Sequence, residues 1–194
     1  SLVKPLAVFG TLLFVINFPV IIARARLTED MAGFYATLFS MRNIVLPFAF
    51  ATALPLYSRT VAASEEHHIF FKAIVVILLL SVSFLILGLF FPKWFINFFF
   101  GSQYLDASGY IGLYGCYLAF HMVCMVIMFR QAAKGTLKTW ALSIPVLIIL
   151  ILLTLPDLSI NKILIVQIVS WGAYLIFSFL LGLLFSKFQQ TSPP

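Results

Sequence analysis

Charged residues are scarce in this sequence. Only 9% of its 194 residues are Asp, Glu, Lys or Arg, whereas 63% are hydrophobic and the mean hydropathy is +1.12. Soluble domains carry about 25% charged residues, because a polar shell has to cover the apolar core. A chain with so little charge cannot build such a shell, so we predict an integral membrane protein.

Acidic residues are the rarest charged type, and all six lie outside the long apolar runs. Neither a pair of catalytic carboxylates nor a carboxylate relay within the membrane can be built from this stretch of sequence. It also lacks a G-x-S-x-G element, a P-loop and the spacing of zinc ligands. We therefore predict that the protein is not an enzyme, and that it has neither a cofactor nor a metal site.

Cysteine is nearly absent as well. Cys116 and Cys124 lie in one apolar run, eight residues apart. On a helix this spacing separates them by about 12 Å, which is too far for a disulfide bond. We expect both to be small packing residues.

Basic residues give the chain a formal charge of +6, but they are scattered at the ends of apolar runs. No cluster of Lys and Arg is interleaved with aromatic residues, as nucleic-acid binding would require. Basic residues at the ends of apolar runs are typical of contacts with lipid headgroups. The expected partners are membrane lipids and not nucleic acid.

Six apolar segments reach the roughly 17–25 residues that cross a bilayer as a helix. They cover about 5–24, 33–57, 69–91, 109–129, 139–155 and 162–185. Backbone polar groups must be satisfied within each segment in hydrocarbon, so the predicted fold class is all-α, a six-helix membrane bundle. Residues 92–108 are predicted to be a short interfacial segment, and residues 188–194 a polar tail.

The orientation follows from the distribution of Lys and Arg between the two sides. The side with both termini has more of them: Lys4, Arg59, Lys72, Arg130, Lys134, Lys138 and Lys187, against Arg24, Arg26, Lys93 and Lys162. Both termini are therefore predicted to be cytoplasmic. Because the chain starts with Ser1 and reaches its first apolar run at once, we expect it to be a piece of a longer protein.

Arg42 is the one charged residue predicted to lie deep within a span, about 13 Å from its start. Charge at this depth usually faces a cavity or a partner. One interpretation is an anion-binding group in a cavity, with Asn43 beside it and Tyr35 on its helix face. The other is a structural arginine bonded to backbone carbonyls near Pro47 and Pro55, which can kink the helix.

Three further polar residues lie within predicted spans. His121 is either a packing histidine or part of a cavity lining. A metal site is not expected there, because Cys124 is the only other metal-ligating residue nearby and two ligands are too few. Gln167 belongs to a semi-polar stripe that is typical of helix packing or of a cavity. Asn17, shortly before Pro19, can mark a break in the first helix.

The order of short motifs from Asn17 to Thr139 resembles that of polysaccharide flippases of the multidrug/oligosaccharidyl-lipid/polysaccharide exporter superfamily. The motifs are Ala32-Gly33-Phe34-Tyr35, Leu46-Pro47 and Pro55-Leu56-Tyr57-Ser58, then Gly101, Tyr104 and Ala107, and the loop "AAKGTLKT". One position departs from the family pattern, because Pro19 occupies a place where members often carry Asp. The last two spans agree only in hydrophobicity and position.

This resemblance implies one six-helix half of a two-bundle transporter, the C-terminal half, with the other bundle preceding Ser1. It implies that the protein flips a polyprenyl-pyrophosphate-linked oligosaccharide across the bacterial cytoplasmic membrane during surface polysaccharide assembly. The residues expected to bind the lipid-linked oligosaccharide are Arg42, Asn43, Tyr35, His121, Asn17 and Gln167, with Arg24, Arg26 and Arg130 at the headgroup level. The alternatives are a drug/cation antiporter of the same superfamily and a non-transporting scaffold subunit.

Overall fold

The computed structural model describes residues 17–61, 66–133 and 143–190, and in this part of the chain the regular structure is all helical, with no strand. The helices are α1 (described over 17–26), α2 (Glu29–Val61), α3 (Glu66–Phe90), α4 (Pro92–Phe100), α5 (Ile111–Ala133), α6 (Ser143–Thr154) and α7 (Ile160–Gln190). A 3₁₀ helix, Ser102–Tyr110, joins α4 to α5. The predicted all-α class is confirmed for the described residues.

Three helical stretches of the described chain are long and apolar enough to cross a membrane. They are Phe70–Phe90, Ser102–Gln131 and Ile160–Leu180. The prediction of six spans goes further than this finding and stays a prediction. The start of the first predicted span and the start of the fifth lie outside the described residues.

Several helices extend past the apolar runs that predict them. α2 begins at Glu29 rather than Gly33, and its first turn contains Glu29 and Asp30. Negative side chains are stabilising at this position because it is the positive end of the helix dipole. α7 continues to Gln190, into the predicted polar tail. Hydrophobicity marks only the part of a helix suited to lipid, whereas backbone hydrogen bonding continues through polar residues.

Both ends of α4 and the start of α7 have clear local causes. Pro92 occupies the first turn of α4, where its missing N–H is not needed, and Gly101 ends the helix with φ +93°, a conformation that favours glycine. At the start of α7, the Ser159 hydroxyl accepts the backbone N–H of Lys162 at 3.3 Å, as an N-cap does. Pro92 and Gly101 thus bound a short helix, α4, within the predicted interfacial segment.

Helix α5 is the centre of the bundle, packed against α2, α3 and α7. In its most apolar stretch 61% of the residues are buried, against 22% for α3 and 28% for α7. The outer faces of α3 and α7 expose large apolar side chains such as Phe71, Leu79, Val169 and Phe179. Surfaces of this kind are costly in water but are compatible with lipid.

Glycines bring α3 and α5 unusually close. A Cβ added at Gly88 would collide with the Ile111 side chain, and one at Gly115 would lie 3.0 Å from Leu85 Cδ1 and 3.4 Å from Leu85 Cα. Leu85 faces Gly115 whereas Gly88 faces Ile111, so the two helices run antiparallel. Small residues at such crossings allow backbones to approach, as membrane helices require.

Candidate functional site

Five polar or charged side chains are buried within the described bundle: Thr37, Arg42, Ser81, His121 and Gln167. Three of them, Arg42, His121 and Gln167, come from α2, α5 and α7. They lie in one region with a group of aromatic residues from the same helices. We call this set the central cluster, and it consists of Tyr35, Arg42, Tyr114, Tyr117, His121, Gln167 and Trp171.

Arg42 is only 2% exposed, and its guanidinium is held by neutral groups from three helices. Its Nη2 donates a hydrogen bond to Asn17 Oδ1 of α1 at 3.0 Å. Its Cζ lies 3.9 Å from the centroid of the Phe39 ring, in a cation–π contact. On α5, the Tyr117 hydroxyl forms a hydrogen bond with the same guanidinium.

Tyr35 and Gln167 join α2 to α7. The buried Tyr35 hydroxyl donates a hydrogen bond to Gln167 Oε1 at 3.3 Å. Tyr35 precedes Arg42 by two helical turns, so both side chains project from the same face of α2. Within the cluster, α2 is therefore joined to α7 by the Tyr35–Gln167 hydrogen bond and to α5 by the contact of Arg42 with Tyr117.

His121 is packed between aromatic rings. Its ring centroid lies 5.5 Å from that of Tyr117, in a stacked arrangement, and 4.9 Å from that of Trp171, edge to face. The residue is fully buried, and neither ring nitrogen has a hydrogen-bond partner within the described residues. These contacts favour the packing interpretation of His121 over a cavity lining.

The structure separates the other predicted site residues on α2 from the cluster. Asn43 is exposed, although it is adjacent to Arg42 in sequence, because successive residues on a helix point about 100° apart. Pro47 and Pro55 are also exposed, and α2 remains helical through both. Asn17, by contrast, reaches Arg42 directly.

The basic residues predicted at the headgroup level have different environments. Arg26 donates hydrogen bonds to the carbonyl oxygens of Leu152, Leu153 and Leu155 at 3.0, 2.8 and 2.9 Å, and so caps the carboxyl end of α6. Arg130 Cζ lies 4.1 Å from the centroid of the Phe70 ring. Arg24 is exposed.

Arg24 also lines a cleft between α1 and α2. The cleft has a volume of about 520 Å³, and its walls include Val20, Leu27, Gly33 and Ala36 together with Glu29. It lies beside the α1–α2 connection, whereas Arg42 lies further along α2. The cleft and the central cluster are thus two separate features of the same helix pair.

Two links in this arrangement were not predicted from the sequence, namely the contact of Tyr117 with Arg42 and the cap that Arg26 forms on α6. Tyr117 is the residue that links Arg42 to His121, and its spacing from Tyr114 and His121 is the helical three-and-four pattern that marks a shared face. The Arg26 cap on α6 has no sequence pattern, because its partners are backbone carbonyls more than 120 residues away. Only the fold brings them together.

Chemically, the central cluster keeps a permanent positive charge inside the bundle. The acidic side chains at Glu29, Asp30, Asp106 and Asp157 are all exposed, so none of these four contributes a buried carboxylate to the cluster. A guanidinium has five donors in a planar fork suited to carboxylate or phosphate. Within the described residues, no group of three or more His, Cys, Asp or Glu side chains is arranged to hold a metal ion.

No family model, no curated protein and no solved structure gives a significant match to this chain.

Proposed function

We propose that this chain is one six-helix half of a transporter that flips a polyprenyl-pyrophosphate-linked oligosaccharide across the bacterial cytoplasmic membrane. The observation that carries the proposal is the buried Arg42 guanidinium, held by the neutral groups of Asn17, Phe39 and Tyr117. Keeping a charge in a low-dielectric interior is costly, so a cation retained there is a functional candidate by default.

The nature of the contacts suggests how an anion is taken up. The hydrogen-bond acceptor for Arg42 on α1 is Asn17. Asn17 is exposed, whereas Arg42 is buried. A small displacement of α1 from α2 would replace this neutral carboxamide with a phosphate oxygen. The exchange replaces a hydrogen bond from the charged guanidinium to a neutral amide oxygen with one to an anion, which adds attraction between opposite charges. Binding of the pyrophosphate would thereby favour the displaced arrangement.

The experiment compares Arg42→Gln with Arg42→Lys and the wild-type sequence in the full-length protein. Glutamine retains a donor for Asn17 but removes the charge, whereas lysine keeps the charge without the planar fork. Flipping of a fluorescent polyprenyl-pyrophosphate oligosaccharide is measured in proteoliposomes, alongside thermal stability in detergent. Loss of charge-assisted hydrogen bonding should reduce flipping by Arg42→Gln at least about tenfold, with a partial loss for Arg42→Lys.

Asn43→Gln is the matched control, because Asn43 is the adjacent residue but is exposed. It should flip the substrate at the wild-type rate. Normal flipping by Arg42→Gln would contradict the proposal and leave Arg42 as a structural contact to α1. A fall in flipping that only parallels a fall in thermal stability would contradict it as well.

A further inference from the structure

The cleft between α1 and α2 combines opposite charges with an apolar wall. Arg24 and Glu29 line it near the α1–α2 connection, and Val20 and Ala36 line it further along the helices. From Glu29 to Ala36 the rise along α2 is about 10 Å. The cleft therefore runs from a charged end to an apolar end over a distance comparable to a lipid headgroup and the start of its acyl chains.

The two charged side chains are available to a ligand. Arg24 and Glu29 are both exposed, and within the described residues neither side chain forms an ion pair or a hydrogen bond. The cleft volume of about 520 Å³ falls within the range of small-molecule sites, about 300–1,000 Å³. A Cβ added at Gly33 would meet no heavy atom within 4 Å, so the wall of the cleft is open at this point.

The charge balance selects among phosphate-bearing ligands. One positive and one negative side chain give the cleft no net charge, and Glu29 would repel a multiply charged pyrophosphate. A zwitterionic headgroup fits both charges, because its phosphate can bind the Arg24 guanidinium while its ammonium group binds the Glu29 carboxylate. An acyl chain would then follow the apolar wall toward Val20 and Ala36.

We propose that this cleft is a binding site for a phospholipid with a phosphoethanolamine headgroup, held by Arg24 at the phosphate and by Glu29 at the amine. The site is separate from the central cluster and does not depend on the proposed flipping activity. We expect the cleft to select lipids that carry both a primary amine and a phosphate, because Arg24 or Glu29 alone would recognise only one of these groups.

The test is native mass spectrometry of the detergent-purified full-length protein. Titrations use phosphatidylethanolamine, phosphatidylglycerol, undecaprenyl pyrophosphate and inorganic phosphate. Phosphatidylethanolamine should bind most tightly. Arg24→Ala and Glu29→Gln should each weaken its binding about tenfold, the usual effect of losing a hydrogen bond to a charged group. Glu29→Gln should leave phosphatidylglycerol binding unchanged or tighter, because it removes a negative charge.

Gly33→Leu places a branched side chain in the cleft without changing its charge and should weaken phosphatidylethanolamine binding. Gly109→Leu is its control, because Gly109 also has open space around its Cβ position but lies outside the cleft. Unchanged phosphatidylethanolamine binding by Arg24→Ala and Gly33→Leu would overturn the proposal. So would tighter binding of undecaprenyl pyrophosphate that the same variants remove, or equal occupancy by inorganic phosphate.

Discussion

Single buried polar residues have different energetic roles in this bundle. Tyr35 and Gln167 satisfy each other, whereas His121 is surrounded by rings and has no hydrogen-bond partner for either nitrogen within the described residues. Leaving a buried polar atom without a partner costs about 1–3 kcal/mol. At the residue scale, the two buried groups should therefore respond in opposite ways to apolar substitution.

Replacing His121 with Phe should leave the free energy of unfolding unchanged or raise it by about 1 kcal/mol, because an aromatic ring is kept and two unsatisfied nitrogens are removed. Gln167→Leu is the control, and it should lower the free energy of unfolding by about 0.6–1 kcal/mol by removing the partner of Tyr35. Reversible unfolding in mixed detergent measures both. A marked loss of stability in His121→Phe would show that the imidazole is hydrogen-bonded.

At the scale of helices, the α3–α5 crossing depends on glycine. The Gly88 and Gly115 positions leave no room for a larger side chain, because Ile111 lies against the first and the Leu85 backbone approaches the second. β-branched Ile111 has little rotamer freedom in a helix, so it cannot move aside easily. The close approach of the two helices thus follows from two missing side chains.

Gly88→Val and Gly115→Leu should each destabilise the protein by about 1–3 kcal/mol, as overpacking of a close-packed interior does. Gly172→Ala is the control in α7, because its Cβ would be 4.0 Å from Phe120 Cε1, an ordinary contact. This variant should have wild-type stability or better, since alanine favours helix more than glycine. Equal stability of all three variants in detergent unfolding would contradict the close crossing.

The carboxyl end of α6 depends on a side chain of α1. Arg26 donates to three of its carbonyl oxygens, and we expect Arg26→Ala to lower the free energy of unfolding by about 1–2 kcal/mol. Arg26→Lys should recover only part of this loss, because an ammonium group cannot reproduce the planar fork. Arg24→Ala, two residues away, should change stability little. Identical unfolding curves for Arg26→Ala and Arg24→Ala would contradict the capping role.

At the scale of the whole molecule, the orientation in the membrane remains a prediction from the distribution of Lys and Arg. Single-cysteine reporters test it after Cys116 and Cys124 have been replaced by alanine. A cysteine at Thr28 or Asp157 should react with a membrane-impermeant maleimide in intact cells, whereas one at Ser64 or Gly135 should react only after permeabilisation. The reverse pattern would mean that the termini are not cytoplasmic.

The sequence by itself determined the helical class and the apolar stretches of α3, α5 and α7 that suit lipid, because hydrophobic length and the need to satisfy backbone groups in hydrocarbon are local properties. It also marked Arg42 as unusual, since a charge stands out in an apolar run. Gln167 was selected because it belongs to a semi-polar stripe, and Asn17 because it precedes Pro19 within an apolar run. These residues can be chosen without knowing their neighbours.

Only the tertiary structure decided what those residues contact. The Asn17 contact with Arg42, the Gln167 contact with Tyr35 and the Arg26 cap on α6 all join residues far apart in sequence. The structure also left Asn43 exposed and enclosed His121 among rings. Hydrophobic periodicity is too weak in such uniformly apolar helices to show which face is buried, so partners are fixed by packing between helices and not by local pattern.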